Sequence, residues 1–196
     1  MAQTLEQLLA CIRACRHCAE SLPLGPRPVI RAASSARLLI IGQAPGTRVH
    51  ASGIPWDDAS GARLRQWLQM TPEQFYDETR VAIMPMGLCY PGRGRQGDNP
   101  PRPECAPLWH ESVLAHLPTL SLILLVGQYA QRYYLGDRLS LTQRVLQPER
   151  YGPRFWPLPH PSPRNQLWLK RNPAFEQTVL PRLQLRLGQL APEHLL

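Results

Sequence analysis

The stretch Leu122-Ile123-Leu124-Leu125-Val126-Gly127-Gln128 decides the fold. Five apolar residues run without a polar break and stop at a glycine, as in a strand buried on both faces. Leu38–Ile41, ending at Gly42, repeats the pattern, and Val81–Met86 and Phe155–Leu158 are two further short strands. The segments between them have helical spacing. Leu64, Trp67 and Leu68 share one face of a helix expected over 60–69, and helices are expected over 104–117 and 128–135. A terminal helix over 173–189 carries Phe175, Val179, Leu180, Leu183 and Leu187. At the other end Leu5, Leu8, Leu9, Ile12 and Cys15 give a helix within 2–19 with Thr4 as its cap, and Pro23, Gly25, Pro26 and Pro28 force an extended arm after it. Apolar strands alternating with helices require right-handed crossovers. The expected fold is therefore a three-layer α/β/α domain around a mostly parallel four-stranded sheet. The 196 residues read as one domain over 1–196, of which 1–33 form the N-terminal helix and arm.

Ligands of such sheets sit beyond the carboxyl ends of the strands. That rule gathers three loops into one site: 42–58, 87–103 and 159–165. The first opens with Gly42-Gln43-Ala44-Pro45-Gly46, a rigid turn whose amides can face an anion or a carbonyl. It lacks the Gly-Lys-Ser/Thr ending of a P-loop, which argues against a nucleoside triphosphate. Trp56 follows on a glycine- and proline-stiffened segment, either as a stacking platform for a base or as a core residue. Asp57 and Asp58 come next and either position water or cap the helix that follows. In the third loop, His160-Pro161-Ser162-Pro163-Arg164-Asn165, the prolines hold His160 and Ser162 in place.

The charge balance is 22 Lys plus Arg against 14 Asp plus Glu, a formal +8, and every cation but Lys170 is an arginine. An anionic partner is expected, nucleic acid being the commonest large one, although a GC-rich genome also enriches arginine. No apolar run approaches the ~20 residues that span a bilayer. The N-terminus carries Glu6 and no basic segment before an apolar one, so no signal peptide is read. The expectation is a bacterial cytoplasmic, nucleoid-associated monomer with no membrane partner. In that compartment the five cysteines read as metal ligands or plain core rather than disulfides. Cys15-x2-Cys18 and Cys89-x15-Cys105 supply four thiolates, enough for an iron–sulfur cluster or a tetrahedral zinc. A metal there would staple the loop containing Pro91, Pro100, Pro101 and Pro103 to the first helix. Ordinary buried thiols are the alternative. Cys11-x3-Cys15-x2-Cys18 also has a radical-SAM spacing, but it lies on a helix ahead of a chain too short for the usual partial barrel.

In this order and spacing the motifs resemble the uracil-DNA glycosylase superfamily over nearly the whole chain, and its iron–sulfur (family 4) branch most closely. Gly42–Gly46 resembles that branch's Gly-Glu-Ala-Pro-Gly, and Gly53-Ile54-Pro55-Trp56 the segment whose aromatic stacks on flipped uracil. Leu124-Leu125-Val126-Gly127-Gln128-Tyr129-Ala130 resembles the strand-turn-helix ahead of the second motif. His160-Pro161-Ser162-Pro163 resembles that motif, with its uracil-contacting His and DNA-inserting loop. The resemblance implies a base-excision enzyme that hydrolyses the N-glycosidic bond of uracil, or of another deaminated or damaged base, in single- or double-stranded DNA. It implies catalytic work for His160, Gln43, Asp57 and Asp58, and base binding by Gly42, Ala44, Pro45, Gly46, Trp56 and Met86. Pro161, Ser162, Pro163, Arg164 and Asn165 would meet DNA, with Arg93, Arg95 and Arg102 on its backbone. Cys15, Cys18, Cys89 and Cys105 would hold a 4Fe–4S cluster, with structural zinc or no metal as the alternatives. Three positions depart from the family's pattern. The Asn that reads uracil is Pro85 here, between Met84 and Met86; the water-activating Asp of the best-known family is Ala44; and the acid of the family 4 motif is Gln43, an amide that cannot act as a base. Two other functions stay open: a nucleic-acid-binding member without catalysis, and a hydrolase of a different modified nucleoside.

Overall fold

The structure, a computed structural model, describes residues 3–95 and 97–190. The Thr4 side chain accepts from Gln7 N and the Gln7 side chain accepts from Thr4 N, a reciprocal cap that starts α1 (Leu5–Arg13). Ala2, where the first helix was expected to begin, lies outside the described residues. The helix also stops short of residue 19. Its buried stripe of Leu8, Leu9 and Ile12 ends there, and Cys15 and Cys18 stand in the turns beyond it. The arm that follows lies along the sheet. Val29 N donates to Leu88 O at 2.8 Å, and Arg31 and Ile83 exchange backbone bonds of 3.0 and 2.7 Å. This covers an edge that would otherwise expose unpaired backbone.

The remaining elements alternate as the apolar runs predict. In chain order they are β1 (Leu38–Ile41), α2 (Thr47–Ser52), α3 (Ala59–Leu68), α4 (Pro72–Tyr76), β2 (Val81–Ile83), β3 (Arg93–Gly94), β4 (Gly97–Asp98), α5 (Cys105–Ala115), β5 (Leu122–Val126), α6 (Gln128–Leu135), α7 (Leu141–Leu146), β6 (Phe155–Leu158), α8 (Gln166–Arg171) and α9 (Leu180–Leu190). The main sheet has the order β2-β1-β5-β6 with every pair parallel, Leu38 standing beside both Val81 and Leu122. Side chains alternate between two cores. Leu38, Ile40, Leu122, Leu124 and Val126 pack under α3, α4, α7, α8 and α9, while Leu39, Ile41, Ile123 and Leu125 pack under α1, α5 and α6. This is the expected three-layer α/β/α arrangement. Pro157 is accommodated because β6 is an edge strand, where a missing N–H costs no ladder bond.

The differences from the expected elements have local causes. β2 ends at Ile83 instead of Met86, although Met84 N and Met86 N still donate to Ile40 O and Gly42 O at 3.1 and 2.9 Å. The loop expected over 42–58 contains the short helix α2, and the loop over 90–103 contains the antiparallel ribbon β3–β4. The terminal helix opens with a π turn over Phe175–Val179, because Pro181 cannot donate to the carbonyl one turn before it and the helix widens there. Buried Gln131 on α6 donates to Leu125 O at 3.2 Å and Leu158 O at 2.8 Å, which ties the ends of β5 and β6 together just before His160. Among the described residues no helix is long and apolar enough to cross a membrane.

Candidate active site

Backbone pairing runs past the strand ends at the carboxyl edge. Met86 N donates to Gly42 O and Gly87 N to Gln43 O, both at 2.9 Å, and Gly127 N reaches Leu158 O at 2.9 Å. The three loops selected from the sequence therefore converge, and they enclose a cavity of about 550 Å³. Gly42, Gln43, Ala44, Pro45, Gly46, Trp56, Asp58, His160, Ser162, Arg164 and Asn165 line it. Asp57, Met86, Pro161 and Pro163 are outside its wall. Asp57 pairs with Arg48 at 3.7 Å, while Met86 and Pro161 are buried behind the lining. The wall also includes Val29, Ile83 and Pro85, which are apolar, and Asp98 from the β3–β4 ribbon.

Trp56 is held from behind the cavity. Its backbone is left-handed at φ 58°, a conformation that a bulky residue adopts only under outside constraint. The constraint comes from Gly61: a Cβ there would lie 1.7 Å from Trp56 O, so only glycine lets α3 pass this close. Arg65 reaches Trp56 O at 3.4 Å and the Tyr76 hydroxyl at 3.2 Å, and that hydroxyl donates to Pro55 O at 3.0 Å. On the cavity side, a Cβ at Gly42 would stand 2.7 Å from the indole. Asp58 caps α3, its Oδ1 accepting from Gly61 N at 2.8 Å, and it also faces the cavity. The capping and cavity readings of this residue thus hold together.

His160 meets the Trp56 ring at 5.7 Å between centroids, tilted by 38°. Ser162 N donates to His160 Nδ1 at 3.2 Å. Since a backbone N–H can only donate, Nδ1 is the acceptor and the neutral ring carries its proton on Nε2. Burial pulls the imidazole below its ordinary value, with the Asp58 charge opposing in part. Asn165 Nδ2 fixes the same residue by donating to His160 O at 2.7 Å. A second histidine acts from behind the wall. His110 Nε2 stands 3.2 Å from Pro85 O and its Nδ1 2.6 Å from the Tyr134 hydroxyl. Burial lowers His110 to about 4, so it is neutral and donates to the Pro85 carbonyl while Tyr134 donates to it. Nothing in the sequence marked His110 or Gln131, which lie inside helices, and Asp98 fell within the loop 87–103 assigned to the site without being singled out.

All five cysteines are unpaired thiols, Cys89 buried and Cys11 exposed. Burial pushes Cys89 up to about 11, and the charges of Cys105, Cys15 and Cys18 push in the same direction. Cys105 is raised by burial and by Cys18 and Cys15. Cys15 and Cys18 thus stand near both Cys89 and Cys105. Cys89 lies near the Arg27 backbone, Cys105 near the Leu88 backbone and Cys18 near the Arg102 guanidinium. Among the described residues no group of three or more His, Cys, Asp or Glu is drawn together tightly enough to hold one metal ion.

Against known protein families, residues 30–184 match the model of the uracil DNA glycosylase superfamily. The chain belongs to that superfamily. The matched span takes in the whole main sheet and all three cavity loops, and leaves Cys15 and Cys18 outside it. Superfamily membership points to glycosylase-type chemistry on DNA and agrees with a cavity at the carboxyl edge of a parallel sheet.

His160 is expected to titrate below a free histidine and to show a protonated Nε2 in its neutral form. Ring ¹⁵N shifts followed through a pH titration check both. A midpoint at or above the ordinary value, or a proton on Nδ1, would contradict the geometry.

Proposed function

We propose that this superfamily member hydrolyses the N-glycosidic bond of a deaminated or damaged base in DNA. The observation that supports it is the Trp56–His160 pair on the cavity: an indole locked in a strained backbone beside a neutral imidazole. A base swung out of the duplex stacks on the indole. As the C1′–N bond breaks, negative charge gathers on the departing base. The His160 Nε2–H is a ready donor to it, and one that carries no charge of its own to neutralise first. The amides around Gln43–Gly46 add to the same stabilisation. Arg164 at the cavity wall and the overall +8 charge favour the phosphate backbone.

The family's uracil-reading Asn is Pro85 here, in an apolar stretch of wall with Val29 and Ile83, and the side-chain amides on the cavity are those of Gln43, Gln128 and Asn165. We therefore place uracil beside hypoxanthine and xanthine as substrates to be compared. Gln43, whose Nε2 donates to Asn99 O at 3.2 Å, favours the competing reading of a member that binds without cleaving, since the family 4 acid is absent there. Single- and double-stranded oligonucleotides carrying each base decide between them. Abasic-site formation that falls by ~10²-fold or more in His160→Ala supports cleavage, this being the scale of a lost oxyanion donor. Binding without cleavage across the panel supports the second reading. Cleavage of free nucleosides alone points to a different hydrolase.

We further propose that Cys15, Cys18, Cys89 and Cys105 hold a 4Fe–4S cluster, as in the iron–sulfur branch. The nearness of Cys15 and Cys18 to both Cys89 and Cys105, in the spacing of that branch, supports this reading. Bound there, the cluster would supply a covalent link between the 15–18 turns and the 89–105 loop. Anaerobically purified protein is expected to be brown, with broad visible absorption lost in Cys105→Ser. Colourless protein with one zinc would replace the cluster, and metal-free protein would end the proposal.

A further inference from the structure

We infer that Asp98, on the β3–β4 ribbon, is the carboxylate that takes the proton of the attacking water. This rests on the glycosylase reading above. Hydrolysis needs a base near the sugar, and the first loop supplies none at Gln43 or Ala44. Among the described residues two carboxylates face the cavity, Asp58 and Asp98. Asp58 commits Oδ1 to Gly61 N, the contact that starts α3 and keeps the Trp56 turn in place. Asp98 reaches the first loop from the opposite side, with its Oδ2 3.3 Å from where a Cβ on Gly46 would stand. It therefore lies against the segment that lacks an acid of its own.

The ribbon is anchored for this task. Asn99 N donates to Gly92 O at 2.8 Å, and Asn99 Nδ2 donates to Pro91 O at 3.2 Å. Gln43 Nε2 donates to Asn99 O, next to Asp98 in the chain. A glutamate at 43 would set a carboxylate against that carbonyl and could not donate to it. The amide at 43 and the carboxylate at 98 therefore belong together: the first positions the segment that carries the second. Burial raises Asp98 above an ordinary aspartate and Asp58 raises it further, while Arg164 and Arg93 oppose. The group is thus more basic than a free carboxylate.

In the step, a water proton passes to the Asp98 carboxylate and the water oxygen forms the new C1′–O bond. The C1′–N bond breaks, its electron pair leaves with the base, and His160 Nε2–H meets the developing charge. Asp98 then returns its proton to solvent.

Single-turnover cleavage of the panel's best oligonucleotide, with binding measured in parallel, tests this. Asp98→Asn is expected to lose ~10²–10⁴-fold in rate, the range of general-base catalysis, with affinity and melting temperature kept. Its loss should exceed that of Asp58→Asn, in which asparagine still caps α3. Formate should restore part of the rate of Asp98→Ala, which a merely structural role would not allow. Gln43→Glu should cleave more slowly than the native chain. If the native chain cleaves and Asp98→Asn cleaves equally well, the inference falls and the glycosylase reading stands. A faster Gln43→Glu chain would also overturn it. If the native chain cleaves nothing in the panel, the reading falls and the inference with it.

Discussion

Gly42 and Gln43 carry the backbone pairing of β1 beyond the end of the strand, and the site depends on it. Their carbonyls accept from Met86 and Gly87 at 2.9 Å, so the first and second loops leave the sheet as a paired unit. A buried carbonyl left without a donor costs about 1–3 kcal/mol, which makes this pairing a strong constraint. Gln131 applies the same constraint at the other side of the sheet, holding Leu125 and Leu158. Between these clamps the cavity wall has little freedom.

Trp56 draws on that rigidity. A left-handed backbone at a bulky residue costs of order 1–3 kcal/mol and persists only where its surroundings over-determine it. Here the α3 backbone at Gly61, the Arg65 guanidinium and the Tyr76 hydroxyl all bear on residues 55 and 56. The result is an indole already in place against His160 before any ligand arrives. His160 is prepared in the same way, its tautomer set by Ser162 N and its charge suppressed by burial. His110 does for the Pro85 carbonyl what Ser162 does for His160, from behind the wall.

The sheet was legible because its strands are short, uninterrupted apolar runs: Leu122–Val126 and Phe155–Leu158 have the bounds that the residues alone suggest. The three loops followed from the rule that ligands bind at the carboxyl edge, which needs only strand direction. Other features were hidden because they depend on distant partners. α2 is a six-residue helix in a stretch punctuated by Gly46 and Gly53. The Phe175–Val179 π turn is set by one proline further along. The ribbon carrying Asp98 is two residues to a strand, with no apolar period to announce it. Gln131 and His110 look like ordinary helix residues until the ends of β5 and β6 and the Pro85 carbonyl are brought beside them. Asp57 and Asp58 could not be told apart by sequence. Only the folded chain turns one toward Arg48 and the other toward the cavity.

On the proposed function, the cavity receives a base turned out of DNA and holds it against Trp56. A crystal structure of Asp98→Asn with an oligonucleotide carrying the preferred base tests it most directly. The extruded base is expected to stack on the Trp56 indole, with His160 Nε2 within hydrogen-bonding distance of it and phosphates near Arg164. A base still stacked in the DNA, or DNA bound on a face away from the three loops, would contradict it.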